Sequence, residues 1–364
     1  MGGYMRGLYI HIPFCNSLCK FCDFPKRIKQ NQELKKAYLN KLIKDLNKLN
    51  SKLCFDTVYI GGGTPNSLSL ELLESLFKEV KKLHLNPNLE YTIECNFELI
   101  TEEQVKLFKQ YGINRVSFGI QTFNPKIGKY INRQSNFKLC QEKISLLNNY
   151  GIENINADFI FGLPYQSLKD VKDDLLLISK LNLKHVSYYS LILEDRSVLG
   201  YEIKENKITL PDIDLAADMY ELIQKELPKM GYSQYEISNF CKDGYESKHN
   251  KIYWELDDYY GIGMSAASYN NNKRYTNSRL INEYLNDENI TNDEVYLGEF
   301  FFLGLRLTKG VSLQKFYEKY QIDPYQKYPI NELIDKGLVV VIDDYLKLTP
   351  LGLDNGNLVF EAFI

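Results

Sequence analysis

The sequence predicts an α/β protein: a partial parallel barrel of six βα units, followed by a smaller α+β domain with a winged-helix-like order of elements. Three observations carry this. Short β-rich runs alternate with longer helical patterns through the first two-thirds of the chain, the signature of repeated βα units around a parallel sheet. That rhythm breaks near residue 231. The tail then reads as three helices and a small hairpin.

The strand-like runs are 8–12, 57–60, 91–94, 115–119, 156–161 and 186–191, each rich in β-branched and aromatic residues. Helical patterns follow at 33–49, 70–83, 102–110, 136–149, 168–180 and 213–230. In 70–83, Leu72, Leu73, Leu76, Phe77 and Val80 recur at helical spacing, with Glu and Lys on the other face. These units fill residues 1–230, three-quarters of an eight-unit barrel. Residues 231–293 form a Tyr/Asn-rich connecting segment expected to be irregular and docked on the barrel. Residues 294–364 give a helix, a turn at Lys309-Gly310, helices at 312–320 and 329–336, a hairpin around Asp343-Asp344 and a last helix.

Length and composition agree. At 364 residues the chain suits about two domains, and 44% hydrophobic with 25% charged residues is ordinary globular composition, not disordered or fibrous. Forty-four basic against 47 acidic residues leave a net charge of -3, and 296–364 carries seven basic against nine acidic residues, a balance of -2. Neither asks for nucleic acid, so the winged-helix-like tail is not expected to bind DNA. No run approaches the roughly 20 apolar residues of a membrane span, and the start lacks the pattern of a signal peptide. A cytoplasmic location is expected. Of seven cysteines, three fall within residues 15–22 and four are scattered, an arrangement of clustered thiolates in a reducing compartment, not a disulfide framework.

The chemistry-bearing residues sit where strands end. Cys15, Cys19 and Cys22 in CNSLCKFC offer three thiolates from one loop after the first strand, the ligands that iron–sulfur clusters take. A structural zinc completed by His11 is the alternative. Gly61–Pro65, GGGTP, follows the second strand and lets a ligand approach the backbone, without the Lys-Ser/Thr of a P-loop; alone, such a loop is most often only a turn. Glu94, Gln121, Asp158, Tyr188 and Ser190 fall on or after strands three to six, and Arg133 lies in the loop after strand four. Parallel β/α barrels build their sites at these ends. For any one of them, a helix cap or a solvated rim charge is the ordinary alternative.

CNSLCKFC, GGGTP and the six-unit barrel resemble the radical S-adenosylmethionine (radical SAM) enzymes. HIPFCNSLCKFCDF, RVSFGIQTF, NADFIFGLP and YSLILE narrow this to the branch that resembles oxygen-independent coproporphyrinogen III oxidase. The resemblance implies a partial (β/α)6 radical SAM barrel in which Cys15, Cys19 and Cys22 bind a [4Fe-4S] cluster whose open iron chelates S-adenosylmethionine. It further implies that Tyr9 and Phe21 flank that cofactor, that Gly62, Gly63 and Thr64 hold its methionine end, and that Glu94, Gln121, Arg133, Asp158 and Ser190 line the rest.

Two departures set this chain apart from the oxidases of the branch. Asp23-Phe24 follows Cys22 where they carry a further cysteine two residues on, and their N-terminal extension is lacking, since the first strand starts near residue 8. Gln134 and Phe97 are smaller departures, affecting loop geometry. His249-Asn250-Lys251-Ile252-Tyr253-Trp254 spells the HNxxYW motif of the branch's heme-chaperone members. The resemblance therefore implies a chaperone that binds heme and passes it to acceptor proteins, with a homodimer left open. The alternatives are a coproporphyrinogen III oxidase working through a 5'-deoxyadenosyl radical and, less favoured, a zinc-containing winged-helix regulator. Among four histidines, His249 is the expected heme-iron ligand, beside Tyr253 and Trp254 and folded over the barrel's open side. A partly exposed or core histidine is the plain alternative.

Overall fold

The computed structural model describes residues 4–28, 30–49, 51–288 and 290–364. Six strands run parallel in sequence order: β1 (Arg6–Ile12), β2 (Phe55–Gly62), β3 (Leu85–Cys95), β4 (Arg115–Gln121), β5 (Asn154–Phe161) and β6 (His185–Ser190). Their outward positions are apolar and fully covered by helices, as with Val58 and Ile60 on β2, Ile93 on β3 and Val116 and Phe118 on β4. Burying such side chains stabilises by about 1.5–3 kcal/mol each. Leu72, Leu73, Leu76, Phe77 and Val80 of helix Leu70–Val80 form the matching stripe, and Ser69 caps that helix by accepting the Leu72 N–H. Thr101 caps Glu102–Tyr111, which ends at Gly112 in the left-handed region (φ 82°).

The expected helices are present with ends displaced by a few residues, and β3 begins six residues earlier than its apolar run. Within the barrel region, two short helices were not expected: Pro125–Tyr130, capped by Asn124, and Val198–Lys204, capped by Ser197.

The largest difference lies in 231–293, which is not irregular. It extends the barrel sheet to 12 strands among the described residues. β7 (Ser233–Glu236) and β8 (Asn239–Cys241) continue past β6 antiparallel, while β9 (Asp258–Ile262) pairs parallel with the opposite edge, at β1. Strands Ala267–Asn270, Lys273–Thr276 and Thr291–Asp293 follow β9 antiparallel. An uncovered β1 edge would leave a row of N–H and C=O groups unpaired, and DYYGI satisfies it. Gly261 is required in β9, because a Cβ there would overlap the Ala267 carbonyl.

The tail follows its predicted order. Helices Glu299–Gly304, Leu313–Tyr320 and Ile330–Asp335 pack with a three-stranded sheet of Val311–Ser312, Tyr345–Leu348 and Val339–Ile342. Asp343 and Asp344 take φ of 50° and 71° in the hairpin turn. Phe301, Phe316 and Phe363 centre a core separate from the barrel's. Among the described residues, no helix is long and apolar enough to cross a membrane.

Candidate functional site

Because side chains alternate along a strand, the inward faces can be read from the register. Thr57 and Tyr59 face the lumen from β2, Thr92 and Glu94 from β3, Arg115 and Ser117 from β4, Asn156 and Asp158 from β5, and His185 and Ser187 from β6. Parallel strands of an α/β protein are usually apolar on both faces. Here the inner face is polar on each of these strands, a period-two signal present in the sequence that attention to strand ends misses.

At the carboxyl mouth, the loop after β1 is held on several sides. Phe14–Cys15 pairs with Arg27–Ile28, so the loop returns beside its own start. The Lys20 N–H donates to the Ile131 carbonyl (3.1 Å), Asn132 Nδ2 to the Leu18 carbonyl (2.6 Å), and the Leu199 N–H to the Lys20 carbonyl (3.0 Å). Phe21 packs into the apolar cluster of Ile127, Ile131, Ile160 and Leu163, and so anchors the loop. Burial pushes the Cys15 thiol up to about 11, opposed by the Thr64 hydroxyl, which donates to its sulfur at 3.7 Å. Cys19 is pushed upward by burial, with the Arg133 guanidinium 3.9 Å away opposing. Metal coordination would deprotonate such thiols outright.

The zinc alternative loses its fourth ligand. His11 Nδ1 meets the Tyr9 hydroxyl at 3.0 Å and Nε2 donates to the Pro25 carbonyl at 2.9 Å, so both ring nitrogens are used. Among the described residues, no three His, Cys, Asp or Glu side chains converge on a single-ion position. Cys15, Cys19 and Cys22 would hold an iron–sulfur cluster through thiolates, the ligands such clusters take.

The GGGTP loop packs against Phe14 and Cys15 at the start of the cysteine loop. A Cβ on Gly63 would stand 2.8 Å from the Phe14 carbonyl oxygen and 3.0 Å from Cys15 Sγ, and Gly62 has φ 111°. The amides expected to meet a ligand are already satisfied: Gly63 N–H donates to Ile12 (2.8 Å), Thr64 N–H to Phe14 (2.8 Å), and Gly62 N–H to Glu94 Oε2 (2.9 Å). The glycines serve the chain's own packing, since a Cβ on Gly61, Gly62 or Gly63 would meet Glu94, His11 or Phe14–Cys15, and what remains for a ligand is the loop's carbonyl side.

Glu94 is a brace. Its other oxygen accepts from the Tyr59 hydroxyl at 2.8 Å, and burial pushes its carboxyl up to about 7. Arg133 donates through Nη1 to Asn96 Oδ1 (2.8 Å) and through Nη2 to the Gly119 carbonyl. Asn96 and Asn66 exchange hydrogen bonds at 3.0 Å, and no motif in the sequence points to Asn66. Gln121 adopts φ 73° at a break in the β4–β5 register, and its amide comes beside Gly119 and Arg133.

The mouth thus gathers the cysteine loop, Gly62, Gly63, Thr64, Glu94, Gln121 and Arg133, with Tyr9 just inside. Asp158 lies deeper, accepting from Ser117 Oγ (3.0 Å) and Asn156 Nδ2 (2.8 Å), its carboxyl shifted upward by burial. Tyr188 does not line the lumen; it faces outward into the core beside Phe159. Ser190 is exposed at the end of β6.

His249 stands apart from the mouth. It lies on the short helix Lys248–Trp254 at the amino-terminal floor of the barrel, beside Gly7 and Thr57, and is 1% exposed. Nδ1 meets Thr57 Oγ1 at 2.7 Å and Nε2 meets the Tyr253 hydroxyl at 2.8 Å. Whichever tautomer is present, both nitrogens are engaged, so the expected placement over the open side is not what the fold produces. Burial, then the Arg115 charge, lowers its pKa to about 3.

Residues 9–178 match the Radical SAM superfamily, and residues 291–354 match the HemN C-terminal domain. Coproporphyrinogen III oxidase (HemN) from Escherichia coli superposes with a TM-score of 0.83 over 99% of this chain and 91% of that one, at 20% identity. Fold and site together define a radical SAM-superfamily protein with a HemN-type C-terminal domain. The heme chaperone HemW of Lactococcus lactis is 37% identical across 98% of this chain and 96% of its own, and that of Bacillus subtilis is 36% identical across 99% of each. The chain belongs to the HemW heme-chaperone family.

Proposed function

We propose that this protein binds heme and delivers it to acceptor proteins, and that its radical SAM barrel holds a [4Fe-4S] cluster and S-adenosylmethionine. The observation that carries the reading is full-length similarity at 37% identity to a heme chaperone, where the oxidase shares the fold at 20%. Phe24, exposed on the cysteine loop, also stands where the oxidases of the branch carry their extra cysteine.

The donor set fits the cluster: three thiols on one braced loop, with no His11 nitrogen free beside them. The GGGTP loop fits an amino-acid end, because backbone carbonyls would accept from an ammonium group, and Gly63 lets the loop pack closely against Phe14 and Cys15, beside the thiols. When bound, the cluster and S-adenosylmethionine supply one-electron chemistry. The chain's own part is to ligate through Cys15, Cys19 and Cys22, to hold the loop through Glu94, and to fix Asn96 and the β4 end through Arg133. Tyr9 and Phe21 would flank the cofactor, with Phe21 also anchoring the cysteine loop, while Gln121 at the mouth, Asp158 deeper in the lumen and Ser190 at the rim would line the rest.

In this reading 1–230 is the barrel, 231–293 the segment that completes its sheet and floor, and 294–364 the winged-helix-like domain. The setting is cytoplasmic, the partners are heme and heme-acceptor proteins, and a homodimer is compatible with it. The test is an anaerobic titration of the cluster-loaded protein with heme, followed by an assay on coproporphyrinogen III. A saturable Soret change with no decarboxylation is expected; turnover of coproporphyrinogen III without heme binding would overturn the reading in favour of the oxidase.

A further inference from the structure

Hydrogen bonds tie the HNxxYW helix to the barrel, and a cation–π contact ties it to Arg306. The Glu90 carboxylate on β3 accepts the N–H groups of Lys248 and His249, both at 3.0 Å. Thr57 on β2 engages His249 Nδ1, while Tyr253, one turn along the same helix, engages Nε2. Trp254 carries the Arg306 guanidinium 4.4 Å above its ring, and Arg306 in turn pairs with buried Glu236 on β7 at 3.6 Å. The helix therefore joins the floor of the barrel to the chain that enters the C-terminal domain.

From this helix a continuous line of contacts climbs the lumen. The His249 ring stacks on Tyr59, with centroids 5.0 Å apart and planes at 26°. The Tyr59 hydroxyl donates to Glu94 Oε1 at 2.8 Å, and Glu94 Oε2 accepts the Gly62 N–H at 2.9 Å. Gly61 makes room for this, since a Cβ there would stand 2.9 Å from the Glu94 carboxyl group. A buried carboxylate with two fixed donors has one orientation, and an aromatic ring clamped by a neighbouring ring keeps its hydroxyl on one bearing.

We propose that His249 is a positioning residue for the GGGTP loop: by clamping Tyr59 it fixes the Glu94 carboxylate that holds Gly62. This assignment rests on the reading that the loop receives S-adenosylmethionine, and it gives the histidine of HNxxYW a task that is not iron ligation. The stack and the hydroxyl are separable. Tyr59→Phe keeps the ring and removes the bond to Glu94; His249→Gln removes the ring; His249→Phe keeps a ring and removes the imidazole nitrogens.

The experiment is calorimetric titration of the anaerobically cluster-loaded full chain with S-adenosylmethionine, with iron content, thermal unfolding and the heme Soret band measured on the same samples. Tyr59→Phe and His249→Gln are expected to raise Kd for S-adenosylmethionine about tenfold or more at unchanged iron content, with His249→Phe within about threefold of wild type. The Soret response to heme is expected to stay as in wild type in all three. Wild-type affinity in either Tyr59→Phe or His249→Gln would overturn the relay, as would loss of the heme response in His249→Phe with S-adenosylmethionine binding intact. Absence of binding in the wild-type protein would instead overturn the cofactor reading itself, and this assignment with it.

Discussion

The Arg133 guanidinium reaches across the barrel mouth to Asn96, with Nη1 2.8 Å from Oδ1 while Nη2 bonds the Gly119 carbonyl. One planar group thereby joins the ends of β3 and β4 and stands 3.9 Å from the Cys19 sulfur. Lysine cannot make both contacts, because its single ammonium lacks the fork. Arg133→Lys should lower stability by about 1–3 kcal/mol in chemical denaturation and weaken S-adenosylmethionine binding. Wild-type values for both would show that the fork holds nothing.

Replacing Cys15, Cys19 or Cys22 singly by Ser exchanges a soft thiolate for a poor cluster ligand. Each variant should lose most iron and sulfide after anaerobic reconstitution. Cys54, Cys95, Cys140 and Cys241 lie elsewhere, three of them buried, so Cys241→Ser should keep the wild-type content. Full iron in all three loop variants would remove the cluster assignment.

At Gly63, a Cβ meets both the Phe14 carbonyl and Cys15 Sγ. The loop reading alone predicts that added bulk blocks S-adenosylmethionine and spares the cluster. The 3.0 Å approach to sulfur changes that expectation, and Gly63→Val should lower cofactor affinity and iron content together. Calorimetry and iron analysis of one preparation decide it; iron at the wild-type level would mean that the cysteine loop yields freely.

His249 is held neutral, with a folded pKa of about 3 against 6.5 for an unperturbed histidine. The unfolded chain binds a proton that the folded one refuses, so stability from this site is complete above pH 6.5 and is lost as pH falls toward 3, by up to about 1.4 kcal/mol per pH unit. Glu94 acts in the opposite sense: its raised folded pKa of about 7 makes the folded chain bind the extra proton, so its contribution declines as pH rises from 4.5 to 7. Unfolding free energies between pH 4 and 7 should therefore fall less steeply on acidification in His249→Phe than in wild type. Parallel curves would mean that His249 titrates normally.

Local sequence was enough to announce the six barrel strands, the helices between them and the clustered thiols, but not the strands of 231–293. Val58, Ile60, Leu72, Leu76 and Phe77 announce strand and helix because local periodicity depends only on neighbours in the chain. Cys15, Cys19 and Cys22 are legible as a thiolate loop for the same reason, since their grouping is written within eight consecutive residues. Whatever depends on segments far apart in the chain came only with the folded arrangement. Folding paired Asp258–Ile262 with β1, turned Gln121 through φ 73° at a bulge, spent the GGGTP amides on Ile12, Phe14 and Glu94, and carried His249 to the floor against Thr57. A histidine's motif shows that a nitrogen is available in principle. Whether that nitrogen is free is settled by which residue, 192 positions away in the chain, arrives to bond it.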